Sequence, residues 1–279
     1  MQLPGRTTQI RLRDVGILKQ YSENYYRLVH LNSVRAAGFE PVRPLDKPPP
    51  VRGAVNDEKL QNSLSRSRSR VFELAMCNPW DYFCTFTLNP EKHDRYDLNA
   101  SYRQLAKWVN NYGFRQHLSL SYLLVPEPHS DGAWHFHGLL HGLPLSHLTL
   151  FTCGQRIPSR IKSMLASGRM IYNWPAYAAA FGFVTVEAIQ NADACAAYMT
   201  KYITKELAHS SIELNHHVYY ASHGLQRATE FYRGTIFREI TDPDFENDYV
   251  HVKHYDNPEE PLSHFLELEE HYGKDSTDG

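Results

Sequence analysis

The hydrophobic pattern changes period several times along the chain, and each change marks an element. From Asn56 to Met76, the residues Leu60, Leu64, Val71, Leu74 and Ala75 roughly follow helical spacing, which predicts a helix capped by Asn56 or Asp57. Asp81-Tyr-Phe-Cys-Thr-Phe-Thr-Leu88 is aromatic and β-branched and is closed by Asn89-Pro90, the pattern of a strand followed by a stop. A helix over 98–112 places Leu105, Trp108 and Val109 on one side. Strands are predicted over 121–127 and 134–141, joined by a turn in which Asp131-Gly132 supplies the left-handed backbone a hairpin needs. A loop-rich insert follows. Then come a strand over 183–189, a helix over 192–207 and a short strand over 218–221. Strands that follow one another directly must be antiparallel, so the fold class is α+β, with helices on a face of the sheet. No internal repeat is visible.

The ends differ from this middle. Residues 1–55 read as an irregular basic segment ending in the proline-rich stretch 41–50, residues 56–240 as the folded domain, and residues 241–279 as a flexible acidic tail. With 42% hydrophobic and 13% aromatic residues in 279, the chain can bury a core, which excludes wholesale disorder. No run approaches the roughly 18–20 apolar residues of a membrane span, and Met1–Arg6 has no apolar signal core. The expectation is a soluble cytoplasmic protein without a membrane partner. Cys77, Cys84, Cys153 and Cys195 include no C-x-x-C pair, so they are expected to be reduced thiols rather than a zinc ribbon. The net charge of −2 hides an asymmetry. Residues 1–70 hold 13 Lys/Arg and 6 Asp/Glu (+7), and residues 230–279 hold 4 and 14 (−10). A basic face that meets phosphate is compatible with the near-zero sum.

Three groups of residues carry candidate chemistry. His135-Phe-His137 sits in a strand, where alternate residues share a face, so both imidazoles project together with Cα atoms about 6.6 Å apart. Glu127 ends the partner strand and brings an oxygen ligand beside them; His129, in the turn, is the weaker alternative. Two nitrogens and a carboxylate leave positions open on an ion, as a catalytic metal requires, and Mg²⁺ or Mn²⁺ suits phosphate chemistry. Chance packing of two histidines is the competing reading, since the chain has 16. The second group is Tyr198 and Tyr202, at i and i+4 of a helix and about 6 Å apart, with Lys201 and Lys205 nearby. A phenol with a pKa of about 10 is a poor nucleophile unaided, but a polarised phosphate and a nearby ammonium make its attack feasible. The bland alternative is an amphipathic helix packing its tyrosines on the sheet. The third group is Ser65-Arg-Ser-Arg-Ser-Arg70, where Arg66, Arg68 and Arg70 form either a phosphate-contacting strip or a solvated helix face. Trp134 and Tyr82 are available to stack on bases or to pack in the core.

In order along the chain, Phe83-Cys-Thr-Phe-Thr-Leu88, Trp134-His-Phe-His-Gly138 and Tyr198-Met-Thr-Lys-Tyr202 resemble the three motifs of the HUH endonuclease superfamily, specifically rolling-circle replication initiators. The third is similar to the two-tyrosine form found in the A proteins of small single-stranded DNA phages. The run 63–88 and Asn173-Trp-Pro-Ala-Tyr177 are similar to replication-associated proteins of phages and mobile elements in Firmicutes. The resemblance covers roughly residues 60–235. It implies a central antiparallel sheet of about five strands with flanking helices, of the RRM/ferredoxin-like kind, and a metal on the two histidines. It also implies a tyrosine transesterification of single-stranded hairpin origin DNA. That reaction leaves a 5′-phosphotyrosine adduct and a free 3′-hydroxyl for a host polymerase, and later rejoins the ends. No G-x-x-x-x-G-K-[ST] loop is present, so strand separation falls to a host helicase. A relaxase or single-strand transposase of the same superfamily, and a non-catalytic DNA-binding protein, are the rival readings. The implied setting is the cytoplasm of a bacterium or of a phage-infected host.

Overall fold

The computed structural model describes residues 11–35, 57–204, 207, 217–247 and 250–265. The chain divides into two compact units, residues 51–226 and residues 1–50 with 227–279.

The first unit is built on the antiparallel strands β3 (Tyr82–Thr87), β4 (Ser121–Pro128), β5 (Trp134–His141) and β8 (Val184–Ala188). With the two-residue strands β6 (Thr149–Leu150), β7 (Tyr172–Asn173) and β9 (Tyr220–Ala221) the sheet has seven strands in the order β6-β7-β8-β3-β5-β4-β9. The expected sheet of about five strands is therefore widened by short edge pieces. β5 lies between β3 and β4, so its side chains are supported from both sides.

Alternation on β5 decides which face does what. Trp134, Phe136 and Gly138 point one way, and His135 and His137 the other. On the first face Phe136 meets Tyr220, while Phe86 of β3 meets Tyr177 of α4 (Pro175–Ala180). Helix α2 (Leu98–Gln116) buries Leu98, Leu105, Val109 and Tyr112, and its Trp108 packs on Trp174, Tyr177 and Phe181. Asp97 caps α2 by accepting from the Ala100 N–H at 2.9 Å. Helix α5 (Ala192–Lys201) is capped in the same way by Asn191, 2.8 Å from the Ala194 N–H, and packs against α1 (Asp57–Met76). α3 (Ser159–Ala166) lies in the insert that the sequence pattern reads as loop.

Gly138 fixes how closely β4 and β5 pack. A Cβ there would stand 2.4 Å from Leu124 Cδ2 and 2.8 Å from the Leu123 carbonyl oxygen. Gly138→Ala is expected to cost about 1–3 kcal/mol, because the backbone carbonyl cannot swing aside. A thermal melt checks this, and an unchanged melting temperature would show that the strands separate freely.

The second unit corrects two expectations. Residues 11–35, expected to be irregular, form the hairpin β1 (Arg11–Ser22) and β2 (Tyr25–Arg35). Residues 245–255, expected to belong to a flexible tail, contain β11 (Phe245–Asn247) and β12 (Val250–Tyr255). With β10 (Thr229–Thr235) they make a five-stranded sheet in the order β10-β1-β2-β12-β11. Leu18, Tyr26, Leu28, Ile236, Ile240, Tyr255 and Phe265 form its core. Both faces of β1 are partly covered, since Val15, Ile17 and Leu18 are all buried, so clean alternation is lost. The pairing partners also lie some two hundred residues apart in sequence. The proline-rich stretch 41–50 and residues 266–279 lie outside the described residues.

Candidate metal and tyrosine site

Strand register assembles the first three side chains. Glu127 on β4 is directly opposite His135 on β5, and Val125 is opposite His137, so all four share a face. Glu127 Oε2 lies 2.8 Å from His135 Nε2 and 2.7 Å from His137 Nε2, and the two ring nitrogens are 2.9 Å apart. Glu127, His135 and His137 are the group of possible metal ligands among the described residues.

Proton bookkeeping tests whether this triangle suits a cation. If both Nε2 atoms carry protons, each donates to Glu127, but the two N–H groups then face each other. If one proton is removed, the carboxylate loses a donor. An ion with metal–ligand distances near 2.1 Å satisfies all three atoms at donor spacings of about 3 Å. Both histidines are buried, which disfavours their charged forms. Burial lowers the pKa of His135, with the charge of His129 adding to it and Glu127 opposing. His137 is pushed down to about 4, by burial first and then by His135, again against Glu127. Their lone pairs are thus available at neutral pH, and the residues fit a divalent ion.

Thr85 on β3 faces His137 across the sheet and lies 3.2 Å from its Nδ1, the ring atom turned away from Glu127. A bond at that nitrogen fixes the ring and its tautomer. Thr85→Val keeps the shape and removes the hydroxyl, and is expected to weaken Mn²⁺ affinity about tenfold or more. Competition against a coloured chelator measures it, and unchanged affinity would take Thr85 out of the site.

Both tyrosines reach the same place. The Tyr202 ring stacks on the His137 imidazole, centroids 3.9 Å apart and planes at 13°. Its hydroxyl donates to the Tyr198 oxygen at 2.9 Å. Tyr198 is 40% exposed, and Phe83 fills the space beneath both rings. The expected helix over 192–207 ends at Lys201, and Tyr202 caps it with its N–H turned to Met199 and Thr200. Burial raises the Tyr202 pKa, helped by the bond to Tyr198 and the charge of Glu127. Lys201 is exposed, its Nζ 5.4 Å from the centre of the Tyr198 ring. Lys205 lies outside the described residues.

The DNA-contact expectations fare differently. Trp134 is 5% exposed, because alternation turns it to the face opposite His135, and Tyr82 is 8% exposed. Neither offers a ring to a base. Arg68 is not a plain phosphate contact: its Nε donates to the Ile203 carbonyl at 3.0 Å, holding the chain just after Tyr202. Arg70 pairs with Glu73 at 2.8 Å, and Arg66 is exposed. None of the three lines the cleft described next. His129 has its ring 4.1 Å from that of His135 and borders the triad without joining it.

The triad and both tyrosines open into one cleft of about 1090 Å³, with β3, β5 and β8 as its floor and α3 and α5 as walls. Arg160 of α3 lines it, and its positive charge acts on both His137 and Tyr202. Nothing in the sequence pattern marks Arg160, which belongs to the insert. Thr85 and Phe83 stood inside the first motif without an assigned role.

Among the described residues no helix is long and apolar enough to cross a membrane. No curated protein and no solved structure matches the chain. Residues 81–207 match a family model, that of the replication-associated protein ORF2. That stretch begins at the first strand of the site and ends just past the second tyrosine. Over it the chain is similar to the replication-associated proteins of the ORF2 family, consistent with the rolling-circle replication initiators its motifs resemble.

Proposed function

We propose that the protein starts replication by nicking single-stranded origin DNA with a tyrosine and later rejoins the ends. The observation that carries this reading is the pair of phenol oxygens, 2.9 Å apart, on a ring stacked against a histidine of the triad. Two nucleophiles so close can address one phosphorus in turn. A divalent ion, Mg²⁺ or Mn²⁺, held by Glu127, His135 and His137 would polarise the scissile phosphate.

The chain's own residues do the rest. A phenol oxygen of Tyr198 or Tyr202 bonds to phosphorus as the bond from phosphorus to the 3′-oxygen breaks. The phenol loses its proton and the departing 3′-oxygen gains one, leaving a 3′-hydroxyl and a 5′-phosphotyrosine. The phosphodiester energy stays in the adduct, so rejoining needs no nucleotide. Lys201, exposed beside Tyr198, offsets charge on the phosphate, with Lys205 assigned the same role. Phe83 and Thr85 hold the rings that align the attack. A single strand suits a cleft walled by α3 and α5, where a duplex would keep its backbone outside. The new 3′-hydroxyl serves a host polymerase, and a host helicase opens the duplex.

The test is a labelled pool of single-stranded hairpins incubated with protein and Mn²⁺ and run on a denaturing gel. A shifted, protease-sensitive band that disappears with chelator is the expected result. DNA binding without any adduct would favour a non-catalytic DNA-binding protein instead.

A further inference from the structure

Building on the nicking reading, we propose that Arg169 reads a guanine in the strand held in the cleft. The local chain is arranged for this. α3 runs into Gly168, whose φ of +87° suits glycine and turns the chain back on itself. The Arg169 N–H then bonds the Met164 carbonyl at 3.2 Å. From there the side chain crosses to Glu187 on β8. Arg169 Nε donates to Glu187 Oε2 at 3.0 Å, and Nη2 donates to the same oxygen. The Glu187 side chain is 18% exposed and that of Arg169 53%. The carboxylate is therefore the fixed post and the guanidinium the accessible end.

Both residues line the cleft that holds the triad and the tyrosines. Glu187 pairs across the sheet with Phe83, and Thr85, two residues on, pairs with His137. Two strand spacings and one same-face step put Glu187 about 12 Å from His137. That is too far to touch the reacting phosphorus and suits a neighbouring nucleotide.

The remaining donors define the ligand. A guanidinium has five N–H groups in a rigid fork and no acceptor. With Nε and one Nη2 proton committed to Glu187, the outward edge presents parallel donors from Nη1 and Nη2. Two adjacent acceptors fit that edge, as guanine offers at O6 and N7; adenine sets a donor beside N7, and thymine a methyl beside O4. Phosphate also offers two acceptors, but here it would approach a cation already neutralised by Glu187. A base meets no such penalty, and Phe83 and Met164 supply apolar surface for its faces.

The experiment retains a randomised single-stranded DNA pool on the full-length protein, sequences what is kept, and measures adduct yield on guanine and adenine versions of the selected strand. The wild type is expected to enrich guanine at one position. Arg169→Lys keeps the charge and loses the fork, and should lower the guanine-over-adenine ratio at that position about tenfold. Glu187→Gln should weaken the same preference by loosening the post. An unchanged ratio in Arg169→Lys, a loss spread equally over all positions, or enrichment of another base would overturn the inference. Adduct formation without guanine preference overturns this inference alone. A wild type that keeps no DNA and forms no adduct overturns the nicking reading with it.

Discussion

Phenylalanine at both Tyr198 and Tyr202 is expected to abolish the covalent protein–DNA adduct, while either single replacement leaves adduct formation measurable and stops the second strand transfer. The phenol oxygens stand 2.9 Å apart, so removing one leaves the other within reach of the same phosphate. Phenylalanine also keeps the ring. The stacking of residue 202 on His137 and the edge contact of residue 198 with Phe83 survive, so a loss of chemistry will not be a loss of fold. Residues that act as a unit give non-additive effects, and the double variant is the informative one. Denaturing gels of each variant with a labelled strand, followed by a joining assay, separate cutting from resealing. A full-rate adduct in the double variant would place the nucleophile elsewhere and sink the reading.

The parts of this site that were legible in the sequence follow from short-range rules. The spacing His135-x-His137 puts two imidazoles on one strand face whatever the rest of the fold does, and the Asp131-Gly132 turn fixes the register that sets Glu127 opposite His135. The i,i+4 spacing likewise brought Tyr198 and Tyr202 together, although the helix stops at Lys201, where Tyr202, Ile203 and Thr204 follow. The hidden parts depend on long-range placement. Trp134 lies next to a ligand in sequence, and the same alternation that exposes His135 to the cleft buries Trp134 on the other side. Arg68 reads as part of a solvated basic strip until α1 packs on α5 and its guanidinium finds the Ile203 carbonyl. The sheet of the second unit joins strands from opposite ends of the chain, and a local period cannot announce that pairing. Arg160 and Arg169 come from an insert with few pattern cues, and the fold alone shows that they line the cleft.

The second large effect concerns the triad. Glu127→Gln is nearly isosteric, but it removes the charge that binds a divalent ion and replaces one oxygen with an N–H₂ donor. It is expected to slow adduct formation at least about a thousandfold, the scale of several kcal/mol of lost charge stabilisation. Affinity for single-stranded DNA should not fall with it. Glu127 lines the cleft as a negative group, and neutralising it removes a repulsion from phosphate. The combination of lost cutting with kept or tighter binding is what a metal ligand predicts. A residue that merely props up the fold would lose both together. His137→Ala removes a ligand and also the surface on which Tyr202 stacks, so it should lose cutting and let the tyrosine wander, a broader defect than that of Glu127→Gln. Retention of DNA on a filter and adduct yield on a gel, with Mn²⁺ and with chelator, measure the two quantities on one preparation. Full-rate cutting by wild-type protein in excess chelator would mean that Glu127, His135 and His137 are held together by protons alone, and the assignment of a metal to them would fail.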